Sequence, residues 1–569
     1  MRQFANTCEQ VSGTTKKLEK KSLLAAYFLS ISLEEAAIAA VFFSGRPFPM
    51  WEETTLQVGG SSLWRIVQGL SEKSETELSA AYRRHGDLGA VAGEVLPPRE
   101  ATDLPLTEIQ KRFRKIAALR GPAAKSAEVR ELLSLVTPLE AKYIIKIMTG
   151  DLRIGLKESL VEEAIAAAYD VLLAQTQRAN MLLGDIGEAL RYAAEGKLAQ
   201  AEMRLFHPLG FMLASPAESA GDALAYFHNA WVEDKYDGIR AQAHCSGDEV
   251  KIFSRTRDEI TESFPELPEA LAGLQKDVVL DGEIVAWSFL SQDSREAGRA
   301  LPFSSLQQRL GRKKVSHELM RKVPVAFLAF DVLYAAGEVL IDRPLIERSQ
   351  ILEKLLTERI SVPPRARAGQ AALDFGGPEN EAEHEIRLIR APVAAASTAK
   401  ELDELFDAAQ ARGNEGLMIK DPESAYTPGR RGKSWLKLKR ELATLDVVVT
   451  AVEYGHGKRV GVLSDYTFAV WNGDQLVNIG KAYSGLTDAE IAEMTTWFLA
   501  HTIDDQGFRL EVEPRIVLEV AFNNMMRSER HNSGFALRFP RIVRLRPDKL
   551  PEEADTIETV QKIYEKQSV

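Results

Sequence analysis

Apolar positions recur at helical spacing through residues 1 to about 203, in Ala-, Leu- and Glu-rich segments such as Leu139–Met148 and Ser159–Leu173. Gly and Pro punctuate them at Gly45-Arg46-Pro47 and Gly121-Pro122. This pattern predicts an all-helical first region, whose plainest use is as a scaffold or interaction domain. The most apolar early stretch, Leu23–Phe43, is interrupted by Glu34-Glu35 and predicts buried helices rather than a membrane span. Met1–Lys20 is polar and lacks the apolar core of a signal peptide. Composition shifts at His207-Pro208-Leu209-Gly210 through Ser215-Pro216, which reads as a linker. From there to about Arg440 strand and helix patterns alternate, as in an α+β domain. Beyond Leu442, Val447–Thr450, Val452–Tyr454, Tyr466–Trp471 and Ile516–Phe522 predict short strands of a small β-barrel.

With 569 residues the chain exceeds one domain. The pattern divides it at 1–203, 204–440 and 441–569. Hydrophobic content of 45% and charged content of 27% are those of a soluble globular protein. The net charge of -11 argues at first against a nucleic-acid partner. A phosphate backbone meets the local surface, however, and Arg527 to Lys549 is densely basic. Cys8 and Cys245 are too few for a structural zinc site or a disulfide framework, which fits a reducing cytoplasm.

Candidate chemistry concentrates in the middle region. In Trp231-Val232-Glu233-Asp234-Lys235-Tyr236-Asp237-Gly238-Ile239-Arg240, Asp237-Gly238 is a hairpin-type turn signal between two strand patterns. Glu233 and Lys235 then share a face, although a lone lysine at a strand end is most often a solvated charge. Ile252–Arg257 is strand-like and ends in basic residues, including Arg255. Val278–Trp287 is an apolar strand carrying Asp281 and Glu283 on one face, a costly placement unless they bind something. Arg309, Arg312, Lys313 and Lys314 form a basic run, either a solvated face or a phosphate contact. Val325–Tyr334 is a further strand, and Val362–Pro378, rich in Pro, Arg and Gly, is a variable loop. Glu415 precedes a strand and offers a hard oxygen ligand of the kind Mg2+ takes. Lys437 and Lys439 alternate with Leu436 and Leu438, so both ammoniums point from one strand face, apt for a triphosphate.

The string Lys235-Tyr236-Asp237-Gly238-Ile239-Arg240 resembles the Lys-x-Asp-Gly-x-Arg attachment motif of ATP-dependent DNA ligases, in the covalent nucleotidyltransferase superfamily. Its companions follow in the family's order: Asp281-Gly282-Glu283, Phe330-Asp331-Val332-Leu333-Tyr334, Glu415-Gly416-Leu417-Met418-Ile419-Lys420, the Lys437/Lys439 strand, and Arg538-Phe539-Pro540-Arg541. Ala141–Lys146 and Gly150–Leu156 are similar to a stretch in the helical DNA-binding domain of the larger ligases. The resemblance implies an all-helical DNA-binding domain, an α+β nucleotidyltransferase (adenylation) domain and a C-terminal OB-fold β-barrel.

It also implies Lys235 as the nucleophile toward ATP, forming a lysyl-AMP that is passed to the 5′-phosphate of a nick before the 3′-hydroxyl attacks. Nucleotide contacts fall on Glu233 near the base, Phe330 stacked on adenine, Glu283 at the ribose, Arg240 and Arg255 at phosphates or ribose, and Arg431, Lys437 and Lys439 at the phosphates. Mg2+ falls to Glu283 and Glu415. The barrel's basic motif would meet the pyrophosphate. The implied setting is a cytoplasmic, nucleoid-associated monomer acting on nicked duplex DNA in replication, repair or recombination, recruited by other proteins, with no membrane role. An RNA ligase or capping-type nucleotidyltransferase, and a non-catalytic nick-binding scaffold, are the alternatives.

Overall fold

Ser74 and Thr137 each open a helix by accepting a hydrogen bond from the backbone N–H three residues on, and Glu77 and Glu140 return one to the cap. This reciprocal box fixes where a helix starts. The computed structural model describes residues 1–52, 54–99, 104–227, 229–274, 277–289, 298–310, 312, 314–358, 387–439, 443–455 and 459–567. Val362–Pro378 and Lys313 therefore lie outside the described residues. Helices fill the region from Arg2 to Ala194 and share one core. Leu23–Phe43 resolves into Lys17–Ser30 and Leu33–Phe43, the latter buried from Ala36 onward. Phe4 packs on Phe43 with ring centroids 4.6 Å apart. The pattern over Ser159–Leu173 is not one helix: Glu158–Ala168 ends before Asp170, which turns to φ +51°, and a new helix starts at Leu173. No helix among the described residues is long and apolar enough to cross a membrane.

The middle region carries β1 (Leu213–Ala217), β2 (Ala230–Asp234), β3 (Ile239–Ser246), β4 (Glu249–Ser254), β5 (Val278–Ser288) and β6 (Arg299–Ala300). It continues with β7 (Val325–Ala335), β8 (Glu338–Val339), β9 (Leu388–Arg390), β10 (Ala394–Ala396), β11 (Leu417–Lys420) and β12 (Arg431–Leu438). One sheet runs β1-β12-β11-β2-β10 and another β4-β3-β5-β7-β8, with β6 on β5 and β9 on β7. Part of the expected linker is thus a strand, since β1 lies parallel to β12.

The sheet order corrects the expected hairpin at Asp237-Gly238. β2 and β3 do not pair; they belong to different sheets, and the turn carries the chain from one to the other. Gly238 passes so close to β5 that an added Cβ would lie 2.3 Å from the Ile284 carbonyl oxygen. Gly238→Ala should therefore push the Lys235 turn off β5 and cut adduct formation with ATP by about tenfold or more, as small misplacements of reacting groups do. An alanine variant that labels at the wild-type rate would show that the crossing has slack.

The basic run near 309 needs a second correction. Arg309 is fully buried, donating to Glu266 Oε2 at 2.6 Å and to the carbonyls of Val323 and Ser263 at 3.0 and 3.1 Å, so it cannot meet DNA. Arg312 and Lys314 are exposed. Truncation to Arg309→Ala strands the Glu266 carboxylate and should cost about 3–5 kcal/mol in urea unfolding, against under about 1 kcal/mol for a surface ion pair.

The last region holds β13 (Ala443–Tyr454), β14 (Leu463–Asn472), β15 (Gln475–Ala482), β16 (Thr502–Asp505), β17 (Arg509–Val512) and β18 (Val517–Phe522). β19 (Asn524–Arg527), β20 (Phe535–Arg538) and β21 (Arg541–Leu545) complete it. Val447–Thr450 and Val452–Tyr454 are one strand rather than two. A register shift between Val449 and Ala451 bends β13, whose first half pairs with β18 and second half with β17, while β14 runs along its other edge. A bulge of this kind lets one strand serve two walls of a strand-rich OB-type domain.

Candidate nucleotide-binding and attachment site

Register alone sets out the floor of a cavity. In the β2-β11-β12 ladder Trp231, Lys420 and Trp435 lie abreast, and Glu233, Met418 and Lys437 form the next row. One step past the end of β2, Lys235 N–H donates to the Gly416 carbonyl at 2.8 Å and Glu415 N–H to the Lys235 carbonyl at 2.9 Å. This extension brings Lys235, Gly416 and Lys439 into a third row. Residues two apart share a face, so these rows point one way and step about 7 Å along the strands. The alternate residues Val232, Ile419 and Leu436 point into the core behind the sheet. Gly416 has φ +144° and no room for a side chain, an added Cβ lying 2.3 Å from the Leu438 carbonyl oxygen.

The second sheet supplies the opposite wall. Arg240 and Glu283 are abreast on β3 and β5. Between the pairs Asp281–Asp331 and Gly282–Ala329 the register skips Phe330, a bulge that re-aims its ring. The result is a cavity of about 430 Å³ that all ten site residues expected from the sequence line: Glu233, Lys235, Arg240, Arg255, Glu283, Phe330, Glu415, Arg431, Lys437 and Lys439. One end is aromatic, with Phe330 and Trp435 packed around Arg240 and the Lys420–Glu233 pair; the other holds Lys235, Glu415 and Lys439.

At the charged end Lys235 Nζ donates to Glu415 Oε2 at 2.5 Å, and Lys439 pairs with the same oxygen. Burial alone would raise the Glu415 carboxyl, but the two ammoniums win and hold it down at about 2. Glu283 responds oppositely: burial pushes it up to about 7 against the pull of Lys235 and Arg240. An ionised carboxylate beside one that resists ionising suits a hard divalent cation, which needs only one or two carboxylates when phosphates supply other oxygens. Among the described residues no cluster of three or more His, Cys, Asp or Glu forms a protein-only metal cage. Burial, then the charge of Lys235, pulls the Lys437 and Lys439 ammoniums down.

Asp281 and Glu283 have divergent fates. Asp281 is fully buried, accepting from Arg240 Nε at 3.1 Å, Arg240 Nη2 at 2.7 Å and the Tyr426 hydroxyl at 2.6 Å. Arg240 Nη1 donates to the Met212 carbonyl at 2.6 Å, and its guanidinium lies over the Phe211, Phe330 and Trp435 rings. Arg240 is therefore an anchored wall of the cavity, with most of its donors committed to protein. Arg255 and Arg431 are exposed at the mouth.

Sequence reasoning left three lining residues without a role, Asp237, Lys420 and Trp435, whereas Arg538 and Phe539 belong to the basic motif expected at the pyrophosphate. Asp237 and Lys420 sit inside quoted motifs, which was the available signal. Arg538 reaches across from the last region to pair with Asp237, and its guanidinium lies 4.3 Å from the Phe303 ring centroid and 5.0 Å from that of Phe539. Three other basics of that run turn to acids of their own region: Arg544 to Glu519 at 2.7 Å, Arg546 to Asp446 at 2.9 Å and Lys549 to Asp446 at 2.6 Å. In this arrangement Arg538 brings the run's charge to the cavity.

Residues 1–166 match a family described as DNA ligase N terminus, 211–439 the ATP dependent DNA ligase domain, and 459–549 the ATP dependent DNA ligase C terminal region. The chain is 59% identical over 574 residues to a probable DNA ligase of Koribacter versatilis (strain Ellin345), covering 100% of this chain and 97% of that protein. It is 35% identical over 577 residues to a DNA ligase of Methanothrix thermoacetophila, covering 99% and 97%. A solved structure named Pmar-Lig_PreS3 shares the fold, with TM-score 0.60 at 17% identity over 95% of this chain and 99% of that one.

Proposed function

We infer the chemistry of the cavity from one premise: the chain belongs to the ATP-dependent DNA ligase family. It is an enzyme that seals nicks in duplex DNA, with ATP and Mg2+. Lys235 Nζ is the nucleophile. It attacks the α-phosphorus of ATP, the new N–P bond forms as the bond to the bridging oxygen breaks, and pyrophosphate leaves. Nζ first gives up a proton to solvent at the cavity mouth, and Glu415, 2.5 Å away and held ionised, accepts a hydrogen bond from the amine and keeps it in line. The attached AMP then passes to the 5′-phosphate of the nick, and the 3′-hydroxyl displaces AMP to form the phosphodiester.

Other residues hold the nucleotide. Phe330, freed by its bulge, faces the adenine, and Glu233 reaches the base edge. Arg255 and Arg431 meet phosphates at the mouth, Lys437 and Lys439 along the strand, and Arg240 holds the wall through Asp281. Glu283 and Glu415 hold Mg2+, which when bound offsets charge gathering on the phosphates. Arg538 closes the last region over Asp237, bringing a cation to the leaving pyrophosphate. The domains divide at 1–203, 204–440 and 441–569, and the protein works as a cytoplasmic monomer on nicked duplex DNA, recruited by replication or repair proteins.

The observation that carries this reading is the polarity of the cavity: an aromatic slot at one end and Lys235 on Glu415 at the other, about two strand rows apart. The test is to incubate the protein with α-labelled ATP and Mg2+, then chase with nicked duplex DNA. A labelled band that vanishes as sealed product forms is expected. A band that persists with DNA and clears with nicked RNA, or one formed with GTP alone, would overturn it.

A further inference from the structure

The last region presents a sheet edge that no other described strand covers. β16 pairs with β17 alone and ends the path β15-β14-β13-β17-β16. At such an edge every second backbone N–H and C=O faces outward, ready to pair with a further strand. Ile503, on β16, is 65% exposed. Leu499, in the helix Asp488–Ala500 before it, is 51% exposed, and Phe508, between β16 and β17, is 68% exposed. The pairing with β17 skips a residue between Thr502 and Asp504, so Ile503 has no register partner there. The edge belongs to a different part of the sheet from the cavity contact. At the other end of the path Gly480 of β15 backs onto Leu537 of β20, the strand that carries Arg538 to Asp237.

Charge decides what fits against this edge. No Lys or Arg stands between Lys481 and Arg509, a stretch that holds Asp488, Glu490, Glu493, Asp504 and Asp505. Asp504 and Glu511 lie abreast on β16 and β17, both exposed, and neither has an ion pair among the described residues. Like charges directly opposite one another repel. The neighbouring cations are turned elsewhere, Arg509 toward Glu453 at 3.7 Å and Arg515 to Glu513 at 2.8 Å. Carboxylates along an edge guard it against a second copy of the same chain, and they repel DNA phosphates. Large exposed apolar side chains beside that guard work against it, unless the intended neighbour is cationic.

We propose that β16 is the docking edge for an extended, basic segment of another protein, which adds to the sheet as a further strand. Its Lys or Arg side chains relieve the Asp504–Glu511 repulsion, and apolar residues between them cover Ile503 and Phe508. Main-chain hydrogen bonds along the edge supply affinity, and side chains supply the choice of partner. An edge of 4 residues makes the contact weak and salt-sensitive. Docking leaves Arg538 and the cavity free and does not depend on which nucleotide the cavity holds.

The probe is a fluorescein-labelled peptide of alternating Lys and Val, titrated with the full-length protein and followed by anisotropy. It should bind with a Kd of about 10–100 µM at low salt and weaken as salt rises. A peptide of alternating Glu and Val should not bind. The Lys/Val peptide N-methylated at alternate residues keeps its charge but loses N–H donors, and should bind about tenfold more weakly. Ile503→Gln and Asp504→Asn, both at exposed positions, should each weaken the Lys/Val peptide by about threefold and together by about tenfold. Both variants should label with ATP and seal nicks at the wild-type rate. Binding that survives methylation or the double substitution would reduce the contact to diffuse attraction and overturn the inference. No binding at about 1 mM peptide would do the same. A wild-type dimer that Ile503→Gln dissociates would seat a second copy on the edge, and weaker binding of nicked duplex by either variant would give the edge to DNA; each overturns it.

Discussion

Lys235→Ala will form no covalent adduct with ATP and will seal no nick, while remaining folded. Folding survives because Glu415, the partner of Lys235, keeps Lys439 on the same oxygen, so no buried carboxylate is orphaned. Lys235→Arg sharpens the test. Arginine preserves the charge and the pair with Glu415, but its guanidinium does not deprotonate in proteins and has no lone pair to offer. A site that needed only a cation at this position would tolerate Arg; a site that needs a nucleophile will be as inactive as with Ala. A nick already carrying AMP on its 5′-phosphate bypasses attachment, and both variants should still join it. The checks are gel labelling with α-labelled ATP and ligation of the two nick substrates. An adduct retained by Lys235→Arg would remove Lys235 from its role.

Glu283→Gln should lose activity and gain stability, and the gain should depend on pH. In the folded protein the Glu283 carboxyl is pushed from its ordinary 4.5 up to about 7 by burial. Its folded value is raised, so below pH 4.5 the group is protonated in both states and contributes nothing. Between 4.5 and about 7 the unfolded chain releases a proton that the folded chain keeps, and stability falls as pH rises. Above pH 7 the full cost stands, on the order of 3 kcal/mol from the width of that window. Glutamine escapes it, so the variant should match the wild type at pH 4 and exceed it at pH 8 in denaturant unfolding. Removal of a carboxylate proposed to hold Mg2+ should meanwhile lower adduct formation with ATP and Mg2+ at pH 8 by about tenfold or more. In the wild type, protons compete with Mg2+ for Glu283, so the Mg2+ needed for half-maximal labelling should rise as pH falls from 8 to 6. A flat Mg2+ requirement would take Glu283 out of the metal site. Equal stability of the two proteins at pH 8 would show that its burial carries no cost.

Much of the site was readable because strand periodicity is local. That Glu233 and Lys235 share a face, and that Lys437 and Lys439 do, follows from a repeat of two, and the folded register bears this out. The helical first region was readable from apolar spacing and the strand-rich last region from short alternating runs. What periodicity could not supply was pairing. Asp237-Gly238 has the composition of a hairpin, yet the strands on either side join different sheets, because β2 finds β10 and β11 while β3 finds β4 and β5. Arg309 reads as one of four surface cations and is instead enclosed around Glu266. Asp281 and Glu283 look equivalent on β5; one is consumed by Arg240 and Tyr426, and the other keeps the cavity.

The sequence by itself determined the order of elements, the faces on which lysines and carboxylates fall, and, through its resemblance, the family. It could do so because side-chain direction in helices and strands is set by backbone geometry over a few residues. Only the tertiary structure decided which charges neutralise each other inside and which are left for a ligand. Lys420 meets Glu233 from 187 positions away and Arg538 meets Asp237 from 301 positions away. Desolvation and ion pairing depend on what surrounds a group in space, and no local rule reaches that far.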